Sequence, residues 1–102
     1  MTLNVTDAPE RHRFQAWADG KLAGFADYIR RDMVIVFTHT EVDPAFEGQG
    51  VGGALARAAL DDAATRGERV VASCPFMADW IARHPAYERL LRADAEGGED
   101  NA

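Results

Sequence analysis

The stretch Glu47-Gly-Gln-Gly-Val-Gly-Gly-Ala-Leu55 puts four glycines, at 48, 50, 52 and 53, where a β-type run gives way to a helical one. Glycine has no Cβ to hold a ligand off the main chain, and the first turn of a helix offers unpaired N–H groups and a partial positive charge. The stretch therefore reads as a main-chain cradle for a phosphate-bearing ligand. A Walker-type loop needs Lys and then Ser or Thr after its last glycine, and Ala54 and Leu55 stand there instead. The dinucleotide spacing G-x-G-x-x-G is met by Gly48, Gly50 and Gly53. That fingerprint also needs an acid closing the next strand, and here the run from Arg69 ends in Ser73-Cys-Pro75.

Upstream, the chain reads as an antiparallel meander of three or four strands. Alternation over Arg11 to Trp17 puts His12, Phe14 and Ala16 on one face and Arg11, Arg13, Gln15 and Trp17 on the other. Asp19-Gly20 marks a hairpin, Lys21 to Ile29 the returning strand, and Arg31-Asp32 a second reversal. Met33 to Val42 is the strongest β segment and stops at Asp43-Pro44, because proline has no N–H for a ladder. A further edge strand is expected near Leu3 to Thr6. The aromatics Phe14, Trp17, Phe25, Phe37 and Phe76 are expected in the core.

Downstream, Val51, Ala54, Leu55, Ala58 and Ala59 recur at helical spacing, and Arg66-Gly67 ends that helix with glycine in the left-handed position. Glu68 to Ser73 reads as a short buried strand. Pro75 opens a helix through Ile81 or Ala82, and Pro85 opens a last short one through about Leu91. The fold class is α+β: a mixed, mostly antiparallel twisted sheet, a central helix after the Gly-rich loop, and two short C-terminal helices. Residues 1–93 form one domain, and the acidic residues 94–102 are expected to be disordered.

With 102 residues, 47% of them hydrophobic, the chain supports one modest core. A formal charge of −6 argues against a nucleic-acid partner, which would require a basic patch, and suits an amine better. The single cysteine excludes an internal disulfide, and no apolar N-terminal segment points to secretion or a membrane, so the cytoplasm is expected. No metal site is expected. The residues do not choose between a monomer and a weak dimer.

Four words in order, Phe37-Thr-His-Thr-Glu-Val42, Glu47-Gly-Gln-Gly-Val-Gly52, Ser73-Cys-Pro-Phe76 and His84-Pro-Ala-Tyr87, make the chain resemble the GNAT N-acetyltransferase superfamily, and its short single-domain members in particular. The resemblance runs from Val34 to about Leu91. The glycine word fits the superfamily's acyl-CoA pyrophosphate loop, Arg/Gln-x-x-Gly-x-Gly/Ala, at every position except the first. Glu47 stands there, and a carboxylate adds no attraction for phosphate.

The resemblance implies an acetyl-CoA-dependent N-acetyltransferase acting on a primary amine, either a protein or peptide lysine or a small amine. A CoA or acyl-CoA binding module is the alternative. It implies that two strands part to admit the pantetheine arm. Main-chain groups of Thr40, Glu41 and Val42 would then bond the arm and polarise the thioester, and amides of Gly48, Gln49, Gly50, Val51, Gly52 and Gly53 would hold the pyrophosphate.

Three side chains are candidates for the chemistry. His39 is a base with an ordinary pKa of about 6.5, and it sits two residues from Glu41 on the same strand face. Cys74 ends the second parting strand just before a helix start, a setting that favours thiolate, so direct transfer and an acyl-cysteine route both stay open. Tyr87 matches the late tyrosine that serves as an acid toward the thiolate in many members of the family.

Overall fold

A computed structural model describes residues 2–91, so the tail expected to be disordered lies outside the described residues. Five strands, β1 (Leu3–Ala8), β2 (Arg13–Ala18), β3 (Lys21–Arg31), β4 (Val34–Val42) and β5 (Arg69–Ala72), form one sheet in chain order. Every neighbour pair is antiparallel except β4–β5, which is parallel and is joined by α1 (Val51–Arg66). Proline opens both later elements, α2 (Pro75–Ala82) and a 3₁₀ turn at Pro85–Leu90. The last helix of the sequence reading is thus a 3₁₀ turn.

One sheet face and the helices make the core. Phe14, Ala16, Ala26, Tyr28, Ile35, Phe37 and Val70 point into it, against Leu55, Ala59, Leu60 and Ala63 of α1 and Met77, Trp80 and Ile81 of α2. Alanines on α1 bring the helix close to the sheet. At Gly24 there is no room for a side chain, since a Cβ there would lie 2.7 Å from the Glu41 carbonyl oxygen of β4 and 3.1 Å from Val51 Cγ1 of α1. Gly67 closes α1 in the left-handed region at φ 74°, as its position after the last basic residue predicts.

Two bulges shape the strands. Ala23 is the extra residue where the β2–β3 register shifts, and Thr38 is the extra residue where the β3–β4 register shifts between Asp27 and Tyr28. A bulge reverses the alternation beyond it. Ile35 and Phe37 point to the core, but past Thr38 it is Thr40 and Val42 that turn inward while His39 and Glu41 face solvent.

Several expectations are corrected. His12 is not a strand residue: Pro9 starts a 3₁₀ turn, and His12 ends it, exposed, in the left-handed region at φ 55°. Trp17 and Phe25 lie on the outer sheet face, half-buried, rather than in the core. The second reversal turns on Asp32 and Met33, both at positive φ.

Candidate active site

β4 and β5 stay paired only from Val34–Arg69 to Phe37–Ala72. The Phe37 carbonyl then accepts from both Ser73 N and Cys74 N at 3.0 Å, and Pro75 turns the chain away into α2. β4 continues to Val42, roughly 16 Å farther at strand rise, with no strand partner on its β5 side among the described residues. Strand backbone without a partner is a ready set of hydrogen-bonding groups.

Beyond β4, Asp43 accepts from Ala45 N at 2.9 Å and caps a short 3₁₀ turn at Pro44–Phe46. The loop then enters α1 through Gly48 at φ 80° and Gly50 at φ 82°. Only glycine takes these angles without strain. A Cβ at either position would meet nothing within 4 Å, so the surroundings are open. Among the described residues, the amides of Gly48, Gln49, Gly50, Val51, Gly52 and Gly53 donate to no protein acceptor, and the first α1 bond is Ala54 N to Gly50 O at 3.0 Å. Open surroundings, bare amides and the positive end of a sixteen-residue helix fit a pyrophosphate.

Gly52 has a different explanation from Gly48 and Gly50, whereas Gly53 has room for a Cβ in ordinary contact with Trp80. A Cβ on Gly52 would lie 2.7 Å from Phe76 Cζ, and one on Gly53 would lie 3.6 Å from Trp80 Nε1. The absent side chain at 52 makes room for an aromatic ring of α2, a packing need that the glycine pattern does not reveal.

His39, Thr40, Glu41 and Cys74 gather at the parting. His39 Nε2 lies 3.0 Å from Glu41 Oε1, with the two side chains 58% and 62% exposed. Phe25 stands beside the imidazole, ring centres 6.0 Å apart, and Arg13 covers Phe25 at 3.8 Å while pairing with Asp27 at 2.9 Å. On the inner side, Thr40 Oγ1 is 3.3 Å from Cys74 Sγ, and that sulfur accepts from Met77 N at 3.3 Å as the cap of α2. Cys74 is 2% exposed.

Tyr87 stands apart. Its hydroxyl donates to Asp61 at 2.9 Å, on the third turn of α1 and roughly 15 Å along the helix from its start. Burial and the Asp61 bond raise the phenol above its usual range. His84 is fixed too, its Nδ1 2.8 Å from the Trp80 carbonyl oxygen and its ring stacked on the indole at 3.7 Å. The sequence reading missed the side-chain bond between His39 and Glu41, although their spacing of two on one strand is its signal. It also missed Phe76 as the neighbour of Gly52.

No group of three or more metal-ligating side chains occurs among the described residues, and no helix there is long and apolar enough to cross a membrane. A comparison with curated proteins found no match. Among solved structures, a GCN5-like protein from Staphylococcus aureus superposes with a TM-score of 0.69 at 23% identity, covering 88% of each chain. The ribosomal-protein-S18-alanine N-acetyltransferase of Escherichia coli gives a TM-score of 0.62 at 28% identity over 78% of this chain and 53% of its own. AAC(6')-Iy in complex with the bisubstrate analogue CoA-S-monomethyl-acetylneamine gives 0.52 at 25% identity over 74% and 59%. The chain thus spans little more than half of these two larger proteins. Residues 13–90 match the GCN5-related N-acetyl-transferase family, and the chain belongs to it.

Proposed function

We propose that this chain transfers acetyl directly from acetyl-CoA to a primary amine, with His39 receiving the amine proton. The observation that carries the reading is the parting of β4 from β5 beside six unengaged loop and helix amides. Acetyl-CoA supplies the acetyl group as a thioester, already activated toward nitrogen. Amides from Gly48 to Gly53 hold the pyrophosphate, and main chain at Thr40, Glu41 and Val42 holds the arm and polarises the carbonyl. Fixed donors of that kind typically contribute about 3 kcal/mol each in the transition state.

Proton transfer falls to His39. When Glu41 accepts from Nε2–H, the Nδ1 lone pair is left to take the proton that the amine sheds as its bond to carbon forms. The Glu41 carboxylate then stabilises the imidazolium while the carbon–sulfur bond breaks and CoA leaves as the thiolate, which takes its proton from solvent. Cys74 is assigned no covalent role, because its sulfur is buried and engaged by Met77 N and Thr40. Tyr87, held by Asp61, is left out of the transfer.

The test is incubation of the pure protein with acetyl-CoA and a panel of amines, peptides with free lysine included, while free thiol and intact mass are followed. Thiol release with acetylated amine and an unmodified protein is the expected result. Accumulation of an acetyl adduct on the protein would replace direct transfer with the Cys74 route. Saturable acetyl-CoA binding with no thiol release across the panel would identify a binding module instead.

A further inference from the structure

We propose that the outer sheet face at the β3–β4 hairpin is the contact surface of a weak, two-fold symmetric homodimer. The inference does not rest on the transferase reading. Val34-Ile35-Val36 and Val70-Val71 are apolar on both sides of the sheet, a pattern that belongs to strands covered on both faces. Here only one face is covered. Ile35 and Val70 are buried under the helices, while Ile29, Val36 and Val71 form a cross-strand row on the other side, next to a second row of Arg31, Val34 and Arg69.

No described element packs over the Ile29–Val36–Val71 row, and in the second row only Arg69 reaches another described element, donating to the Arg89 carbonyl at 2.7 Å. Ile29 is 56% exposed, and Met33, at the tip of the hairpin, is 58% exposed. A depression of about 420 Å³ runs along Ile29, Val34 and Val36 and is rimmed by Arg31 and Asp32. An outward sheet face that meets only water is ordinarily polar, and a contiguous apolar patch rimmed by charge marks an interaction surface.

Charge selects the occupant. Arg31 and Asp32 are adjacent, opposite in sign, and neither joins an ion pair among the described residues. Arg69, at the far end of its row, is turned to the Arg89 carbonyl. The Arg31–Asp32 pair, side by side on the rim, is complementary to itself under a two-fold operation, which is the requirement of an isologous interface. Arg31 of one copy then faces Asp32 of the other over a layer of β-branched side chains, with the two sheets packed face to face. Two rows on three strands fall short of the roughly 800 Å² per partner of a stable complex, so the association is concentration-dependent.

Sedimentation equilibrium over a wide concentration range tests this. Wild type is expected to move from the mass of one chain toward that of two, and Ile29→Lys to weaken association at least about tenfold. Val36→Thr, which keeps the β-branched shape, weakens it several-fold and serves if Ile29→Lys perturbs folding. Arg31→Glu and Asp32→Lys each oppose like charges and dissociate, whereas an equimolar mixture of the two pairs unlike charges and re-forms a dimer. A wild type that stays a single chain at the highest concentration, or a mixture that associates no better than either variant alone, overturns the proposal.

Discussion

Replacing His39 by alanine removes the exposed imidazole at the parting of β4 and leaves the backbone there untouched. The expected loss is about 10²-fold in kcat, the low end of general-base contributions, with KM for acetyl-CoA unchanged in steady-state assays. An unchanged kcat would place the proton acceptor elsewhere. Cys74 behaves in the opposite sense. Its sulfur caps α2, so Cys74→Ala is expected to lower stability by about 1 kcal/mol in urea titrations while acetyl transfer persists. Loss of transfer by a folded Cys74→Ala protein would restore the thiol to the mechanism.

Among the elements, the contact between α1 and α2 is the tightest constraint on the glycine loop. Alanine at 52 gains about 1 kcal/mol of helix propensity but drives a methyl into the Phe76 ring. The same Gly52→Ala change is therefore expected to be at least about 1 kcal/mol more favourable in a Phe76→Leu background, read as the coupling in a double-mutant cycle. Additive effects would mean that the ring moves aside freely.

Much of this level was legible beforehand, because glycine and proline act through their own backbone limits. Pro44, Gly67, Pro75 and Pro85 mark element boundaries in the sequence and in the structure alike. The facing of side chains was less legible. Alternation from Ile35 and Phe37 would turn His39 inward, and only the extra residue at Thr38, which has no signature of its own, turns it out. Trp17 and Phe25 were misplaced for a related reason: hydrophobicity predicts burial, but among the described residues the face they occupy has no covering element. At the site, the loop amides could be anticipated from glycine positions, whereas the engagement of the Cys74 sulfur includes Thr40, thirty-four residues away.

Across the whole molecule, a polar cluster lies between the inner sheet face and the end of α1. Tyr28 donates to Asp7 at 2.6 Å, and Arg30 reaches Glu68 at 2.7 Å, Asp62 at 3.0 Å and Asp7 at 3.4 Å. Burial first, and then the Asp7 bond, push the Tyr28 phenol up to about 12 from an ordinary value of 10.0. The folded state therefore favours the protonated phenol. Its contribution is complete below pH 10 and is lost as pH rises toward 12, on the order of 3 kcal/mol in all. Unfolding free energies of wild type and Tyr28→Phe are expected to differ in slope only across that alkaline window. Parallel slopes from pH 9 to 12 would remove Tyr28 from the account.

Arg30 is the centre of that cluster. Burial works against its charge, but the Glu68 carboxylate more than offsets this and keeps the guanidinium protonated above its ordinary range. Its three partners come from β1, α1 and the start of β5, so one side chain ties the N-terminal edge strand to the far end of the crossover. An edge strand held only by its ladder frays on its own, and its amides exchange with solvent far faster than those of the core. With Arg30 in place, the amides of β1 that bond to β2 are expected to exchange at the rate set by global unfolding. In Arg30→Met those same amides become the fastest-exchanging strand positions, and deuterium uptake resolved by residue would show β1 opening while β3 and β4 stay closed.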